Sequence, residues 1–333
     1  MPKVLRINRT LVLPPGRKTV LAAARLIRNG RLVAFPTETV YGLGAAAADR
    51  LAVKNIFKAK GRPADNPLIV HVACLEQVKE ISSCIPPGAL ELMQRFWPGP
   101  LSLVLPRSNR LPQEVSAGLP TVAVRMPAHP VALSLIRAAG VPIAAPSANR
   151  SGRPSPTTLR HVLEDLAGRI DAVLDGGACR LGLESTVLDL SGGRPVILRP
   201  GGITGEQLEA VLGTTVEVAE GCKTGTPPSP GMKYRHYAPR ATLFLVTGAR
   251  RRRLALMAAL AECYQKKGLK VGILQAPPGP EAFRPAAKRL YQTLRSFDAQ
   301  GVDLILAEGV SAQGLGAALM NRLRRAASRI IRV

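Results

Sequence analysis

The sequence predicts an α/β protein with two domains, a large one built on an extensive sheet and a small one built on a parallel sheet. Apolar runs typical of strands recur between helix-like periods over residues 1–213. A segment rich in proline and glycine follows at 214–240, and strands and helices then alternate regularly over 241–333. A length of 333 residues suffices for two cores. We therefore place the domains at 1–213 and 241–333, joined by the linker 214–240.

The elements of the first domain follow from its apolar patterning. The helical period of residues 19–30 ends at Gly30, and further helices are predicted at 51–61 and 89–97. Strongly apolar runs predict a sheet covered by these helices. Its strands are expected at 31–37, 66–72, 101–106, 121–127, 141–147, 172–177, 185–190 and 195–201.

The apolar pattern of the second domain predicts strand–helix pairs, which implies a small parallel sheet. Strands are predicted in 241–248, 270–275 and 302–309, and helices in 250–267, 281–297 and 316–327. Gly314 and Gly316 precede the last helix and resemble half of a dinucleotide-binding fingerprint. Because the third glycine is missing, we favour packing at the helix entry over nucleotide binding there.

The charge balance favours polyanionic partners. The formal net charge is +24, and residues 240–333 hold 17 basic residues against 5 acidic ones. Nucleotides or RNA would suit such a surface, although arginine is also a general surface residue. No apolar run reaches the roughly 18 residues that span a membrane, and the first residues lack the apolar stretch of a secretory signal. We expect a cytoplasmic protein without a membrane segment.

The cysteines predict neither a disulfide framework nor a structural metal site. There are five, an odd number, at wide spacings and without a C-x-x-C pair. We expect reduced and mostly buried thiols. They are Cys74, Cys84, Cys179, Cys222 and Cys263.

Several segments at strand ends are rich in Lys, Arg, Ser, Thr and Asn, and no motif for a covalent nucleophile or a phosphate-binding P-loop is present. These segments lie at 35–44, 60–67, 121–125, 145–152, 183–186 and 199–202. Each alone could be solvated surface. Together they indicate a pocket of cations and hydroxyls suited to phosphate, carboxylate and a planar base, in which chemistry comes from positioning and charge neutralisation.

The motifs in these segments resemble those of the YrdC family, in its two-domain form. The matching motifs are P-T-E-T-V-Y-G-L-G at 36–44, K-G-R at 60–62, N-P-L-I-V-H at 66–71, S-A-N at 147–149, E-S-T-V at 184–187, R-P-G at 199–201, S-P-G-M-K-Y-R-H-Y-A-P at 229–239 and G-L-G-A-A-L-M-N-R-L-R-R-A at 314–326. The resemblance covers nearly the whole chain. It implies a twisted, mixed sheet with a concave active-site face, plus a smaller Rossmann-like domain.

The resemblance also implies a reaction. L-threonine and bicarbonate form a carbamate, which takes AMP from ATP, with Mg²⁺, and releases pyrophosphate. The product, threonylcarbamoyl-AMP, would serve a downstream threonylcarbamoyl transferase complex that modifies tRNA. A carbamate oxygen that attacks the α-phosphate needs cations and enforced geometry rather than a protein nucleophile.

Site residues carry over from the family motif by motif. Those expected to hold threonine are Thr39, His71, Arg125, Ser185 and the backbone of Ala145, with Arg125 on the carboxylate. Those expected to hold ATP are Lys60, Arg62, Asn66, Thr121, Ser147, Asn149, Ser155, Arg199 and Tyr237. Lys60 and Arg62 are the candidates for charge stabilisation in catalysis, and we expect both to be exposed loop side chains. No metal ligand from the protein is expected.

The linker carries too many functional side chains for an inert spacer, among them Lys233, Tyr234, Arg235 and Tyr237. Its prolines limit its conformational freedom. We expect it to close over the first domain's pocket as a lid that excludes water, with the second domain anchoring it.

Other interpretations remain. The basic charge would also suit an RNA-binding protein of the same fold without synthase activity, or a synthase with a weak tRNA contact. Aromatic residues amount to only 4 %, and no base-stacking motif is present. A carbamoyltransferase or hydrogenase-maturation enzyme can contain a related domain, but the cysteine-rich modules of such chains are not visible here. An inactive regulatory module is disfavoured by the intact set of loops.

Overall fold

The chain folds as two compact units, comprising residues 1–151 with 155–233, and residues 152–154 with 234–333. The structure, a computed structural model, describes residues 4–219, 226–229, 232–233 and 236–333. Cys222, Tyr234 and Arg235, about which the sequence analysis made predictions, lie outside the described residues.

The first unit is a 12-stranded mixed sheet with helices, in the strand order β1-β2-β9-β3-β4-β8-β5-β7-β6-β10-β11-β12. Its strands are β1 (Leu5–Ile7), β2 (Thr10–Leu13), β3 (Val33–Phe35), β4 (Gly42–Ala46), β5 (Ile69–His71), β6 (Leu101–Pro106), β7 (Thr121–Arg125), β8 (Ile143–Ala144), β9 (Ala172–Leu174), β10 (Thr186–Asp189), β11 (Val196–Arg199) and β12 (Glu217–Val218). Its helices are α1 (Arg17–Arg28), α2 (Arg50–Lys60), α3 (Leu75–Ile81), α4 (Ala89–Phe96), α5 (Gln113–Ser116), α6 (Pro130–Ala139), α7 (Leu159–Leu166) and α8 (Gly205–Leu212).

The two faces of this sheet are covered differently, and the difference places the site. Near β3 and β9 both faces carry helices, because Val33 and Phe35 pack with α1 and α6 while Ala34 points into the main core. Across β5, β7, β6, β10 and β11, one face joins that main core. The other face forms a small apolar cluster that Met232 completes. Among the described residues, this second face has no helix in its cluster.

The predicted strands of the first domain are all present, and each except β6 is shorter than the apolar run that predicts it. One expectation was wrong. The sequence analysis treats residues 35–44 as a single loop, but Gly42 begins β4, which pairs with β3 and β8. A strand of glycine and alanine carries little β-propensity, and its strand conformation comes from its two neighbours.

The second unit is the predicted small parallel sheet, in the order β14-β15-β13-β16. Its elements are β13 (Thr242–Thr247), α9 (Arg250–Lys266), β14 (Val271–Leu274), α10 (Phe283–Ala299), β15 (Leu304–Glu308), α11 (Leu315–Ala326) and β16 (Arg329–Arg332). A Cβ on Gly316 would lie 2.0 Å from the Ser311 carbonyl oxygen and 2.8 Å from the Phe283 ring. This close approach supports packing as the reason for Gly316, whereas a Cβ on Gly314 would meet no atom within 4 Å and its φ is +52°.

The cysteines differ in part from expectation. Cys179 is buried, whereas Cys84 and Cys263 are exposed and Cys74 is half-buried. Three of the four described thiols are not buried, so the prediction of mostly buried thiols was wrong. All four of them are free. Exposed positions on or beside helices tolerate a small side chain without needing its burial.

In the parts of the chain that the structure describes, no helix combines the length and the apolar character that a membrane crossing requires.

Candidate functional site

Polar side chains line up on the sheet face that lacks helices. Successive side chains of a strand point to opposite faces, so His71 shares its face with Ile69, and Arg125 shares its face with Ala123. Ile69 and Ala123 belong to the apolar cluster on this second face. The register places His71 directly beside Arg125 across the β5–β7 pair. The alternation therefore puts an imidazole and a guanidinium side by side on one surface.

Arg125 is the centre of a buried network. Its Nε donates to the Gly99 carbonyl at 3.1 Å, its Nη1 to Thr39 Oγ1 at 2.9 Å and its Nη2 to Glu38 Oε1 at 2.5 Å. The Arg125 and Glu38 side chains are only 4 % and 9 % exposed. The second carboxylate oxygen of Glu38 accepts from the Ala128 N–H at 3.0 Å. Two of the five guanidinium N–H groups remain for a substrate.

His71 is buried and neutral. Burial, followed by the positive charge of Arg125, lowers the pKa of His71 to about 3. Its ring meets Phe35 edge-on, with the centroids 5.9 Å apart. Among the described residues its Nδ1 has no hydrogen-bond partner of good geometry, although the Ile69 and Ile143 backbones lie close enough to raise its pKa slightly. An unpaired buried nitrogen is costly, and its pairing with a substrate hydroxyl or ammonium would remove that cost.

Ser185 and Arg199 extend the polar row onto β10 and β11. The Ser185 hydroxyl lies 2.8 Å from the Ser102 hydroxyl. The Arg199 Nη2 donates to the Ser185 carbonyl at 3.1 Å and to its hydroxyl at 3.2 Å. A Cβ on Gly201 would lie 2.2 Å from the Thr186 nitrogen, so only glycine lets this turn approach Ser185. The R-P-G motif thus allows the arginine to brace the serine.

Lys60 joins the K-G-R and S-A-N motifs directly. Its Nζ donates to the carbonyls of Ser147 and Asn149, each at 2.5 Å. The Ser147 hydroxyl in turn donates to Asn149 Oδ1 at 2.5 Å. Burial, followed by the nearby charge of Arg62, holds the pKa of Lys60 well below its ordinary value, while Asp165 opposes the shift. A charged Lys60 has three N–H groups, so one beyond the two bound to Ser147 and Asn149 could meet an anionic ligand.

Arg62 is buried beside the segment that follows it. Its Nε donates to the Asn66 carbonyl at 3.1 Å and its Nη2 to the Pro67 carbonyl at 2.8 Å. Asn66 is 1 % exposed, and its Oδ1 has no hydrogen-bond partner in the described parts of the chain. The expectation that Lys60 and Arg62 are exposed was wrong, since they are 3 % and 7 % exposed. Both use their hydrogen bonds to fold neighbouring loops, which draws them inwards.

The remaining predicted residues take varied positions. Ser155 is buried and donates to Glu184 Oε1 at 2.5 Å. Thr121 begins β7 and is half-buried. The Ala145 N–H donates to the Ile69 carbonyl, so a contact with threonine would come from its own carbonyl. Tyr237 belongs to the second unit, where its ring stacks on Tyr291 at 5.4 Å between centroids.

Three contributors to the network were missed by the sequence analysis: Glu38, Ser102 and Glu184. Glu38 and Glu184 stand within motifs already recognised at 36–44 and 184–187, next to residues that were selected. A buried arginine needs a counter-charge to hold its orientation, and this requirement could have pointed to the acidic residues of the two motifs. Ser102 lies within an apolar strand and gave no signal.

The two acidic side chains at the site are engaged by other side chains. Glu38 accepts from Arg125, and Glu184 accepts from Ser155. Among the described residues, no group of three or more His, Cys, Asp and Glu side chains could hold a metal ion.

These observations define a class: an α/β protein in which fixed cations and hydrogen-bond donors line one sheet face, an arrangement that suits small anionic ligands. The chain belongs to the Sua5/YciO/YrdC family, described as telomere recombination, which its residues 25–201 match. Residues 203–328 match a second family, described as the C-terminal domain of threonylcarbamoyl-AMP synthase.

Similar proteins extend over nearly the whole chain. A threonylcarbamoyl-AMP synthase of Pyrococcus abyssi is 52 % identical over 93 % of this chain and 95 % of its own. One of Bacillus subtilis is 49 % identical, with 94 % of both chains covered. The crystal structure of P. abyssi Sua5 complexed with L-threonine superimposes with a TM-score of 0.93 at 48 % identity, covering 97 % of this chain and 100 % of that one.

Proposed function

We propose that this chain is a threonylcarbamoyl-AMP synthase, an enzyme that makes threonylcarbamoyl-AMP and pyrophosphate from L-threonine, bicarbonate and MgATP. The observation that carries the proposal is the row of His71, Arg125, Ser185 and Arg199 on one face of the sheet. Relatives that match the chain almost end to end bear this name. An RNA-binding protein without activity is not favoured, because the matches include every motif of the pocket.

Threonine would bind at the Arg125 end of the row. Its carboxylate would meet the two free N–H groups of Arg125, beside the hydroxyl of Thr39. Its side-chain hydroxyl and its nitrogen would find His71 Nδ1, Ser185 Oγ and the Ala145 carbonyl. The neutral state of His71 supports this role, since its unprotonated nitrogen can accept a hydrogen bond.

ATP would bind along the segments that Lys60 connects. The third N–H of Lys60, together with Arg62, Arg199 and the Ser147 hydroxyl, would meet the phosphates. Asn66 Oδ1, buried and unpaired, would accept a hydrogen bond from the nucleotide. Thr121, Asn149 and Ser155 complete the proposed nucleotide set within the first unit. Phosphate oxygens would offset the cost of burying the Lys60 charge.

The chemistry needs no covalent intermediate with the protein. The threonine nitrogen bonds to the carbon of bicarbonate, and water leaves to give the carbamate. A carbamate oxygen then bonds to the α-phosphorus as the bond to the bridging oxygen of pyrophosphate breaks. The protein would hold carbamate and phosphate in line and neutralise the charge that develops on the leaving pyrophosphate.

The linker would cover this pocket, as the sequence predicts. Several contacts support the proposal within the first unit. Met232 is 3 % exposed and packs in the apolar cluster with Ile69, Val104 and Ala123, on the face that carries His71 and Arg125. Lys233 Nζ lies 2.8 Å from Asp65 Oδ2, in the segment between Arg62 and Asn66. A cover held by a few such contacts can open and close, and while closed it would shield the carbamate from water.

The product would pass to a downstream threonylcarbamoyl transferase complex, in the cytoplasm. A weak contact with tRNA through the basic surface is part of this proposal.

Mass spectrometry of the reaction mixture tests the function directly. Protein, MgATP, threonine and ¹³C-bicarbonate should yield threonylcarbamoyl-AMP carrying one ¹³C, together with pyrophosphate. Omission of threonine, and an Arg125→Met variant, are the matched controls. Pyrophosphate released at the same rate without threonine would contradict the proposal.

A further inference from the structure

A second concentration of cations lies in a recess of the first unit, away from the polar row. The recess has a volume of about 290 Å³. Three segments form it: the turn between α1 and β3, the C-terminal half of α2, and the turn between α7 and β9. They contribute Arg31, Lys58 and Arg169 as cations, Asn55 as an amide, and Asp171 as the lining carboxylate.

The acidic groups of this region are engaged by other groups. Asp171 Oδ2 accepts the Leu32 N–H at 2.9 Å, and its Oδ1 lies 3.9 Å from Arg31 Nη1. The neighbouring Asp49 caps α2, with its Oδ1 accepting from Leu51 and Ala52. Among the described residues, neither Lys58 Nζ nor the Arg169 guanidinium forms an ion pair. Three cations therefore face one lining carboxylate.

Helix electrostatics explain only part of this arrangement. Lys58 lies in the last turn of α2, where a cation is favourable. That effect is weaker for Arg31 and Arg169, which lie three residues beyond the last residues of α1 and α7. Like charges that converge in a recess repel one another unless an anion binds between them. Arg and Lys donors around a concave site are the usual means of binding phosphate.

We propose that this recess is a second phosphate-binding site, distinct from the nucleotide pocket, whose ligand is either a free oligophosphate or neighbouring phosphates of an RNA backbone. The volume suits two linked phosphate groups better than a whole nucleotide, since ligand pockets for larger molecules start at about 300 Å³. Lys58 and Lys60 belong to different sites although they are only two positions apart on α2. Lys60 is buried, whereas Lys58 is exposed. The proposal does not depend on the function proposed above.

Binding is to be measured on the full chain with two probes, inorganic pyrophosphate by calorimetry and an unmodified tRNA transcript by fluorescence anisotropy. A non-hydrolysable ATP analogue and threonine are kept saturating, so that the nucleotide pocket is occupied. Failure of the analogue to bind would count against the proposed function alone. The double variant Lys58→Gln/Arg169→Gln removes two cations from the recess. Arg17→Gln/Lys18→Gln, at the exposed start of α1, removes the same charge elsewhere.

The recess variant should weaken binding of at least one probe by about tenfold or more, and for RNA it should lower the salt slope by about 2. Loss for pyrophosphate alone identifies a free oligophosphate as the ligand, and loss for the transcript identifies an RNA backbone. Asp171→Asn should act in the opposite direction and tighten binding, because it removes the opposing charge while keeping an acceptor for Leu32. If the recess variant matches the Arg17/Lys18 control for both probes, or Asp171→Asn tightens neither, the proposal is overturned.

Discussion

Arg125 and Glu38 form a buried ion pair in which the Arg125 Nη2 lies 2.5 Å from Glu38 Oε1. The carboxylate also accepts the Ala128 N–H, so it is held from both sides. This relationship keeps a guanidinium in place within an apolar sheet face before any substrate binds. It also gives Arg125 a role in the fold, apart from the role proposed towards the substrate, and a pair of variants can distinguish the two.

Arg125→Met should lower the free energy of unfolding by about 3–5 kcal/mol, because it leaves the Glu38 charge buried without its partner. The double variant Glu38→Gln/Arg125→Met should regain much of that loss and still lack threonine-dependent activity. Chemical denaturation and pyrophosphate release measure the two effects. At the exposed pair, Arg50→Met should change stability by less than about 1 kcal/mol. A double variant that recovers activity together with stability would show that Arg125 has only a structural role.

His71 should make the protein sensitive to acid. Its folded pKa of about 3 lies below its ordinary value of 6.5, so the folded state favours the neutral ring. That stability is fully present above about pH 6.5 and is lost as the pH falls from there towards 3. His71→Phe should remove a slope of about 1.4 kcal/mol per pH unit near pH 5. Denaturant titrations of the two proteins between about pH 4 and about pH 7 should diverge on the acid side; parallel curves would contradict the prediction.

Lys60→Ala should affect both folding and catalysis. It leaves the carbonyls of Ser147 and Asn149 without their donor, which should cost about 1–3 kcal/mol of stability. AMP transfer should fall about 100-fold or more, if Lys60 stabilises the charge on the phosphates. Lys58→Ala, an exposed position on the same turn, is the control and should leave both quantities unchanged. Near-normal AMP transfer in a folded Lys60→Ala protein would place the charge stabilisation elsewhere.

The pocket should select against valine more strongly than against serine. Valine lacks the hydroxyl that would pair with buried His71 Nδ1 and Ser185 Oγ, and such losses cost up to about 10⁴-fold in specificity. Serine lacks only a methyl group, worth roughly 1 kcal/mol. Competition between the three amino acids, with products counted by mass spectrometry, measures the order. Equal yields from valine and threonine would rule out a site built around a hydroxyl.

The linker should respond to ligands. Limited proteolysis between Gly221 and Arg240 should slow when the ATP analogue and threonine are both present, because the cover then closes over an occupied pocket. Met232→Ser, which weakens its packing on the sheet face, should reduce that protection. Met257→Ser, in the core of the second unit, is the matched control for loss of a buried methionine and should leave the protection intact. If cleavage is equally fast with and without ligands, the segment is only a tether.

The sequence by itself determined the two α/β units, nearly all of the apolar strands and the motifs of the pocket. These properties are local: apolar period, glycine and proline positions, and short runs of polar residues can be read without knowing which strands are neighbours. The motifs also led to the family, because several of them occur in a fixed order.

Tertiary structure alone decided which charges are buried and what they contact. Strand order brings β5 beside β7, and so His71 beside Arg125, although 54 residues separate them. Three other features depend on such long-range neighbours. They are the Glu38–Arg125 pair, the hydrogen bonds of Lys60 to Ser147 and Asn149, and strand β4 within residues 35–46. A side chain's burial, and hence its pKa, is set by atoms distant along the chain, and local patterns carry no information about them.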